Sequence, residues 1–264
     1  DGADDRAFFT LPTPGVANPE DATGETVTET VAEETAEKWV LVPGEDIGSD
    51  WRTVGTGFDT TGWTPVPAGE PGGVGYDTND DYDPLFSLDV EADMDEISTS
   101  CYIRIPFTFT GDPADVVGMT LYVRYDDGFV AYLNGTPIAS DNADTDYPAW
   151  DAAANDLHDD SAAVNLLPFP VAEADLGALV AGENLLAVHA LNDGLGSSDF
   201  LISAALDVTV ETSSSVDPLA PLYDLLDGLR ISEVMYHAAE GSDYDFVELH
   251  NAGTDTLDLT GVRL

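Results

Sequence analysis

The densest run of metal-type oxygens in the chain is Asp77-Thr78-Asn79-Asp80-Asp81-Tyr82-Asp83. A hard divalent cation takes roughly six to eight oxygen ligands, so Asp77, Asn79, Asp80, Asp81 and Asp83 are the candidate ligands of a calcium ion. The run lacks the glycine and closing glutamate of an EF-hand loop, and a solvated acidic loop is the alternative reading. Two looser groups, Asp156, His158, Asp159 and Asp160, and Asp141, Asn142, Asp144 and Asp146, offer the same chemistry at lower density. Asp126-Asp127-Gly128 follows Arg124 closely. On a strand, Arg124 and Asp126 share a face, so they either pair with each other or meet a hydroxyl-bearing ligand or a cation. Trp150 and Tyr147, in a polar loop around Pro148, present flat apolar faces on which a sugar ring can stack. Arg124, Asp126, Asp127, Tyr147 and Trp150 are therefore the candidate ligand-binding residues. Trp51 and Trp63 are expected in the core.

The templates of familiar hydrolases and nucleotide enzymes do not fit. There is no G-x-S-x-G elbow, no H-E-x-x-H pair and no Walker loop. His189 lies in an apolar run, where a hydrogen-bonded core histidine is expected. Cys101 is the single cysteine, which excludes an internal disulfide and a thiolate zinc cluster. No catalytic residue is assigned, and the chain reads as a non-enzyme.

Charge narrows the partners. Fifty-two acidic residues stand against seven basic ones, a formal net charge of -45. Nucleic acid and anionic lipid are repelled by such a chain, because phosphate binding needs lysine and arginine to displace counterions. No apolar run is long enough to insert in a membrane. Two causes of the acidity stay open: a saline habitat, where added salt shortens the range of self-repulsion, or neutralisation by divalent cations.

The elements that must position these residues read as strands. Ile103, Ile105, Phe107 and Phe109 alternate with Tyr102, Arg104 and Thr108, and Leu121, Val123 and Tyr125 alternate with Tyr122 and Arg124. That period of two marks half-buried strands. Phe129, Ala131 and Leu133 lead into Asn134-Gly135, a pair suited to the positive φ of a tight hairpin. Leu185–Leu191 and Phe200–Val210 supply further strands. Short strands separated by turn clusters predict an all-β antiparallel sandwich. The long connection from about 64 to 100 is a candidate functional loop.

Five zones follow: 1–19, the exit of a preceding domain; 20–38, an acidic Thr/Glu-rich linker, with a short edge strand as the alternative; 39–212, the sandwich; 213–229, a second linker; and 230–264, an incomplete further domain. The 36 residues from Leu229 to Leu264 are expected to be too few to close a sandwich alone.

Residues 39–210 resemble the galactose-binding-like jelly-roll modules of giant secreted proteins from planctomycetes and related bacteria. The matching stretches include Phe58-Asp59-Thr60-Thr61-Gly62-Trp63, Tyr102-Ile103-Arg104-Ile105, Tyr125-Asp126-Asp127-Gly128-Phe129, Gly182-Glu183-Asn184-Leu185 and Ser197-Ser198-Asp199-Phe200. Residues 230–264 are similar to the start of a lamin-tail domain, an immunoglobulin-like fold, through Arg230-Ile231-Ser232-Glu233-Val234-Met235-Tyr236-His237, Phe246-Val247-Glu248-Leu249 and Leu257-Asp258-Leu259-Thr260-Gly261. Thr13-Pro14-Gly15-Val16-Ala17-Asn18 is similar to the exit of such a domain. The resemblance implies a multidomain protein, secreted or at the cell surface. Together with the acidic loop and the loop aromatics, it sets the expected function: a non-catalytic binding or adhesion module that recognises an extracellular glycan, its loops stabilised by Ca²⁺. The alternatives are a repeating block of a surface layer or filament, joined head to tail to neighbouring protein subunits, and, last, a fragment of a glycan-acting hydrolase.

Overall fold

The computed structural model describes residues 25–55, 58–79, 82–212, 228–235 and 246–253. The chain divides into two compact units. One is Thr26–Thr212, and the other holds Asp1–Glu25 and Ser213–Leu264. The described part of the first unit is all-β apart from helical segments of one or two turns. Its strands are β1 (Glu25–Ala32), β2 (Lys38–Leu41), β3 (Thr64–Val66), β4 (Gly73–Asp77), β5 (Phe86–Asp89), β6 (Ser100–Phe109), β7 (Val116–Asp126), β8 (Gly128–Leu133), β9 (Thr136–Asp141), β10 (Leu167–Pro170), β11 (Gly182–Leu191) and β12 (Asp199–Thr212). Two four-residue helices, α1 (Glu91–Met94) and α2 (Asp160–Ala163), sit between strands.

These strands form the two sheets of a jelly-roll sandwich. Sheet A has the order β10-β7-β12-β4-β5, with β1 also paired to β12. Sheet B has the order β3-β2-β6-β11-β8-β9. The pairing of β4 with β5 is parallel. The strands read from alternation all form, and the alternation decides which face turns inward. Ile103 and Ile105 of β6, Leu121 and Val123 of β7, Phe129 and Leu133 of β8, Leu186 and Val188 of β11, and Phe200, Ile202 and Leu206 of β12 make one core between the sheets. Each such side chain contributes about 1.5–3 kcal/mol by leaving water. Cys101 is fully buried in this core, and burial pushes its thiol well above its usual range. The β8–β9 hairpin turns at Asn134 (φ 53°) and Gly135 (φ 92°), the left-handed pair that Asn-Gly supplies.

Three expectations need correction. Glu25–Ala32 is a strand and not part of a linker. Its Thr/Val alternation suits a pleated edge, and Thr28 and Thr30 hydrogen-bond the side chains of Thr209 and Asp207 on β12. The connection from 64 to 100 is not one loop, since it carries β3, β4, β5 and α1. The outward face of sheet B is not solvated either. Tyr102, Val130, Tyr132, Leu185 and Ala187 are buried there beneath Trp51 and Trp63, which makes a second apolar layer. Trp51 stacks on Tyr102 at 4.1 Å between ring centroids. Arg104 opens into this layer without an acidic partner among the described residues. It donates to the carbonyls of Trp51 and Thr53 and lies 3.8 Å from the Phe58 ring centre, and burial pulls its guanidinium down to about 10.

In the second unit, β13 (Leu229–Met235) and β14 (Phe246–Asn251) pair antiparallel, with a register shift between Ile231 and Glu233. The remaining residues of the lamin-tail resemblance, Tyr236, His237 and Leu257–Gly261, lie outside the described residues, as do Thr13–Asn18. Among the described residues, no helix is long and apolar enough to cross a membrane.

Candidate metal centre

Sheet A also carries a layer on its outward face, and the charged centre lies there. In the β7–β12 ladder Asp126 pairs with Leu201 and Arg124 with Ser203, and paired residues project to the same side of a sheet. In the β4–β12 ladder Asp77 pairs with Asp199. Gly75 permits this close register, because a Cβ there would collide with the carbonyl of Phe200. Tyr82, Ala163 and Leu201 then pack together, with Leu85, Phe86 and Val164 around them. That small apolar cluster seats α2 and the turn at 82–86 on the sheet. It brings Asp160, the first residue of α2, over the ends of β7 and β12.

Asp126, Asp160 and Asp199 each offer a carboxylate oxygen within 4.8 Å of the other two. Oxygens on one calcium sphere of radius ~2.3–2.6 Å can stand no more than about 5 Å apart, so the spacing fits a shared ion. Asp126 is 3% exposed, Asp199 is partly buried and Asp160 exposed. A partly buried aspartate cluster that could hold a metal is thus present. Burial first, then a hydrogen bond and charge repulsion with Asp127 and the charge of Asp199, hold the Asp126 carboxyl well above the usual carboxylate range. Asp199 is raised as well, by burial and then by Asp160, with Asp77 and Asp127 adding to it against the Ser197 hydroxyl. Carboxylates that repel each other in a partly dry site favour either protons or a cation between them.

The neighbouring side chains hold this arrangement. Tyr82 donates its hydroxyl to Asp126 Oδ2 at 3.0 Å, and burial keeps it a neutral phenol. Asp77 uses both oxygens on its own turn, accepting from Asn79 N at 2.7 Å and Tyr82 N at 2.9 Å. Asp127, joined to Asp126 by a cis peptide bond, ties two loops together. Its Oδ1 accepts from His158 N at 3.0 Å, on the way into α2. Its Oδ2 accepts from Asp193 N at 2.9 Å, on the way into β12. His158 stacks on Tyr125 at 4.1 Å, and its Nδ1 donates to the Tyr125 carbonyl at 2.8 Å. Arg124 forms an ion pair with Glu34, not with Asp126, and its Nε donates to the Val164 carbonyl at the end of α2. Glu34 also accepts from Ser203 Oγ at 2.7 Å. Arg124 therefore clamps the helix that carries Asp160.

The sequence candidates are redistributed accordingly. Of the 77–83 run, Asp77 borders the centre, Asn79 and Asp83 are exposed, and Asp80 and Asp81 lie outside the described residues. Asp126 joins the centre and Asp127 supports it. Tyr147 sits on the other sheet, 54% exposed, stacked on Tyr132 and 4.8 Å from the Arg52 guanidinium. Trp150 lines a separate cleft with Ile97 and Leu195. The five ligand-binding candidates thus form no single site. The 141–146 group does not converge either: Asp141 accepts from the Tyr125 hydroxyl and Asp144 from Asn155. Asp199 is the member that residue types alone did not single out, since its role depends on which strands lie beside β12. His189 is the core histidine expected. Its Nε2 lies 2.9 Å from Ser100 Oγ, and burial depresses it to about 3.

No family model matches the chain, and no curated protein is similar to it. Its architecture is similar to parts of solved β-glucuronidases. Bacteroides uniformis β-glucuronidase 2, covalently bound to cyclophellitol-6-carboxylate aziridine, is 13% identical with a TM-score of 0.40, over 70% of this chain and 18% of that one. The β-glucuronidase from Ruminococcus gnavus in complex with D-glucuronic acid is 13% identical with a TM-score of 0.39, over 75% of this chain and 31% of that one. A calcium-binding mutant of the Bacteroides uniformis enzyme is 14% identical with a TM-score of 0.36, over 68% and 18%. The chain thus spans less than a third of those proteins. The expectation of a non-catalytic adhesion module, and of a non-enzyme, is corrected by this finding. The solved structures named above are β-glucuronidases, and none of them supports a non-catalytic adhesion module. Nothing in these matches points to a lamin-tail domain or to planctomycete surface proteins.

Proposed function

We propose that the sandwich is a divalent-cation-binding module and that Asp126, Asp160 and Asp199 hold a calcium ion. The observation that carries this reading is the convergence of three carboxylate oxygens from three separate elements within 4.8 Å. The ligand chemistry favours calcium. All three donors are hard carboxylate oxygens, no thiolate or imidazole joins them in the cluster, and the exposed Asp160 leaves a side open to water, which completes a flexible calcium shell. The ion neutralises charges that the fold otherwise forces together, so it fastens the β7, α2 and β12 ends of the sandwich. Thermal unfolding in chelator, millimolar Ca²⁺ and millimolar Mg²⁺ tests it. The expected result is a rise in midpoint with Ca²⁺ that is larger than with Mg²⁺ and absent in Asp199→Asn. Equal midpoints in chelator and calcium overturn the reading.

A further inference from the structure

A cleft of about 800 Å³ opens beside α1 and the β11–β12 loop, in the range of pockets that hold ligands. Its walls combine apolar and acidic groups: Val42, Ile97, Trp150 and Leu195 with Asp93 and Asp151. Ile97 is 65% exposed and Leu195 49%. Neither Asp93 nor Asp151 uses its carboxylate in a hydrogen bond or an ion pair among the described residues. The sandwich unit has four cationic side chains, and each is committed inward. Lys38 is buried on the carbonyls of Glu34 and Gly72, Arg104 is buried under Phe58, Arg124 is bound to Glu34, and Arg52 lies over the rings of Tyr132 and Tyr147. The cleft therefore faces solvent with apolar ledges and negative charge, and no cation of the unit is free to fill it.

We propose that this cleft docks a basic, extended peptide segment in which lysine or arginine alternates with aliphatic residues. Charge complementarity selects the occupant. Asp93 and Asp151 pair with its cations, Trp150 offers a ring face to one of them, and Ile97 and Leu195 cover its aliphatic side chains. A neutral sugar meets the two carboxylates with hydroxyls only, supplies no counter-charge, and leaves the two aliphatic ledges uncovered.

Fluorescence anisotropy with the full 264-residue chain and a labelled peptide of alternating lysine and leucine, at about 150 mM salt where long-range attraction is screened, tests the proposal. Binding is expected to weaken at least tenfold in Ile97→Ser, in Trp150→Ala and in the double variant Asp93→Asn, Asp151→Asn. It is expected to be unchanged in Glu183→Gln. Ile97 is exposed, so its variant keeps the fold even where Trp150→Ala does not, and circular dichroism checks each. Four results overturn the proposal: no binding, an all-lysine peptide binding as tightly as the mixed one, affinity unchanged in Ile97→Ser, or displacement of the peptide by a neutral oligosaccharide.

Discussion

Replacing Asp126 by asparagine separates the two energetic roles of the acidic centre. Two unit charges at 4.8 Å, the outer limit of the cluster's spacing, repel by about 3.5 kcal/mol at an effective dielectric of ~20 and by about 0.9 kcal/mol in bulk water. Asp160 is exposed and Asp199 only partly buried, so each pair falls between these limits. At pH 7 the native chain must either protonate Asp126 or hold it charged beside these neighbours, and Asp126→Asn, neutral at every pH and of the same shape, avoids that cost. In chelator at pH 7 it should therefore stabilise the fold by about 2–3 kcal/mol, or roughly 5–10 °C for a unit of this size. The pH dependence has a fixed sign. Asp126 and Asp199 both bind protons more tightly in the native chain than when unfolded. Their stabilising contribution is thus complete below the ordinary carboxylate value and is lost as pH rises through their raised native values. The gain from Asp126→Asn accordingly vanishes near pH 4 and grows toward neutrality. Calcium acts in the opposite direction. At a hundredfold excess over its dissociation constant it adds about 2.7 kcal/mol to the wild type and little to the variant, which closes the gap. Urea unfolding followed by tryptophan fluorescence measures all four states. A variant less stable than wild type in chelator, or one that calcium stabilises as much, refutes the reasoning.

The other predictions concern the frame. Arg124→Met frees the end of α2 and leaves Glu34 without its guanidinium partner, with the Ser203 hydroxyl still bound to it; it should lower calcium affinity about tenfold by calorimetry although Arg124 touches no ion, and cost about 1–3 kcal/mol of stability. Burial depresses His189 to about 3 from 6.5. The unfolded chain therefore takes up a proton that the native chain refuses, and this contribution falls by up to ~1.4 kcal/mol per pH unit as pH drops below 6.5. In His189→Gln the urea midpoint should lose that part of its acid dependence. Phe200→Ala empties a fully buried position in the core and should cost about 3–5 kcal/mol by urea unfolding.

Much of the sandwich is legible in the sequence, because alternation along β6, β7, β8 and β12 is a local property and Asn134-Gly135 states its turn directly. β1 was harder to read: its Glu/Thr composition is that of a linker, and only the hydroxyl and carboxylate partners on β12 make it an edge strand. The outward face of sheet B also escaped the pattern. Tyr102 and Tyr132 occupy the positions expected to meet water, and irregular chain around Trp51 and Trp63 covers them. The acidic centre shows the same limit most clearly. Local density favours residues 77–83, yet Asp77 spends its oxygens on its own turn. The carboxylates that converge come from the end of β7, the start of α2 and the start of β12. Asp126 and Asp160 stand out as members of local acidic runs. Asp199 is a lone aspartate before an apolar strand, and only the pairing of β12 with β4 and β7 gives it neighbours.

Crystals of the full chain soaked in terbium, a calcium substitute with strong anomalous scattering, test the central claim most directly. The account predicts one dominant peak at calcium-like distances, about 2.3–2.6 Å, from oxygens of Asp126, Asp160 and Asp199. A dominant peak in the 77–83 turn, or none near Asp126, contradicts it.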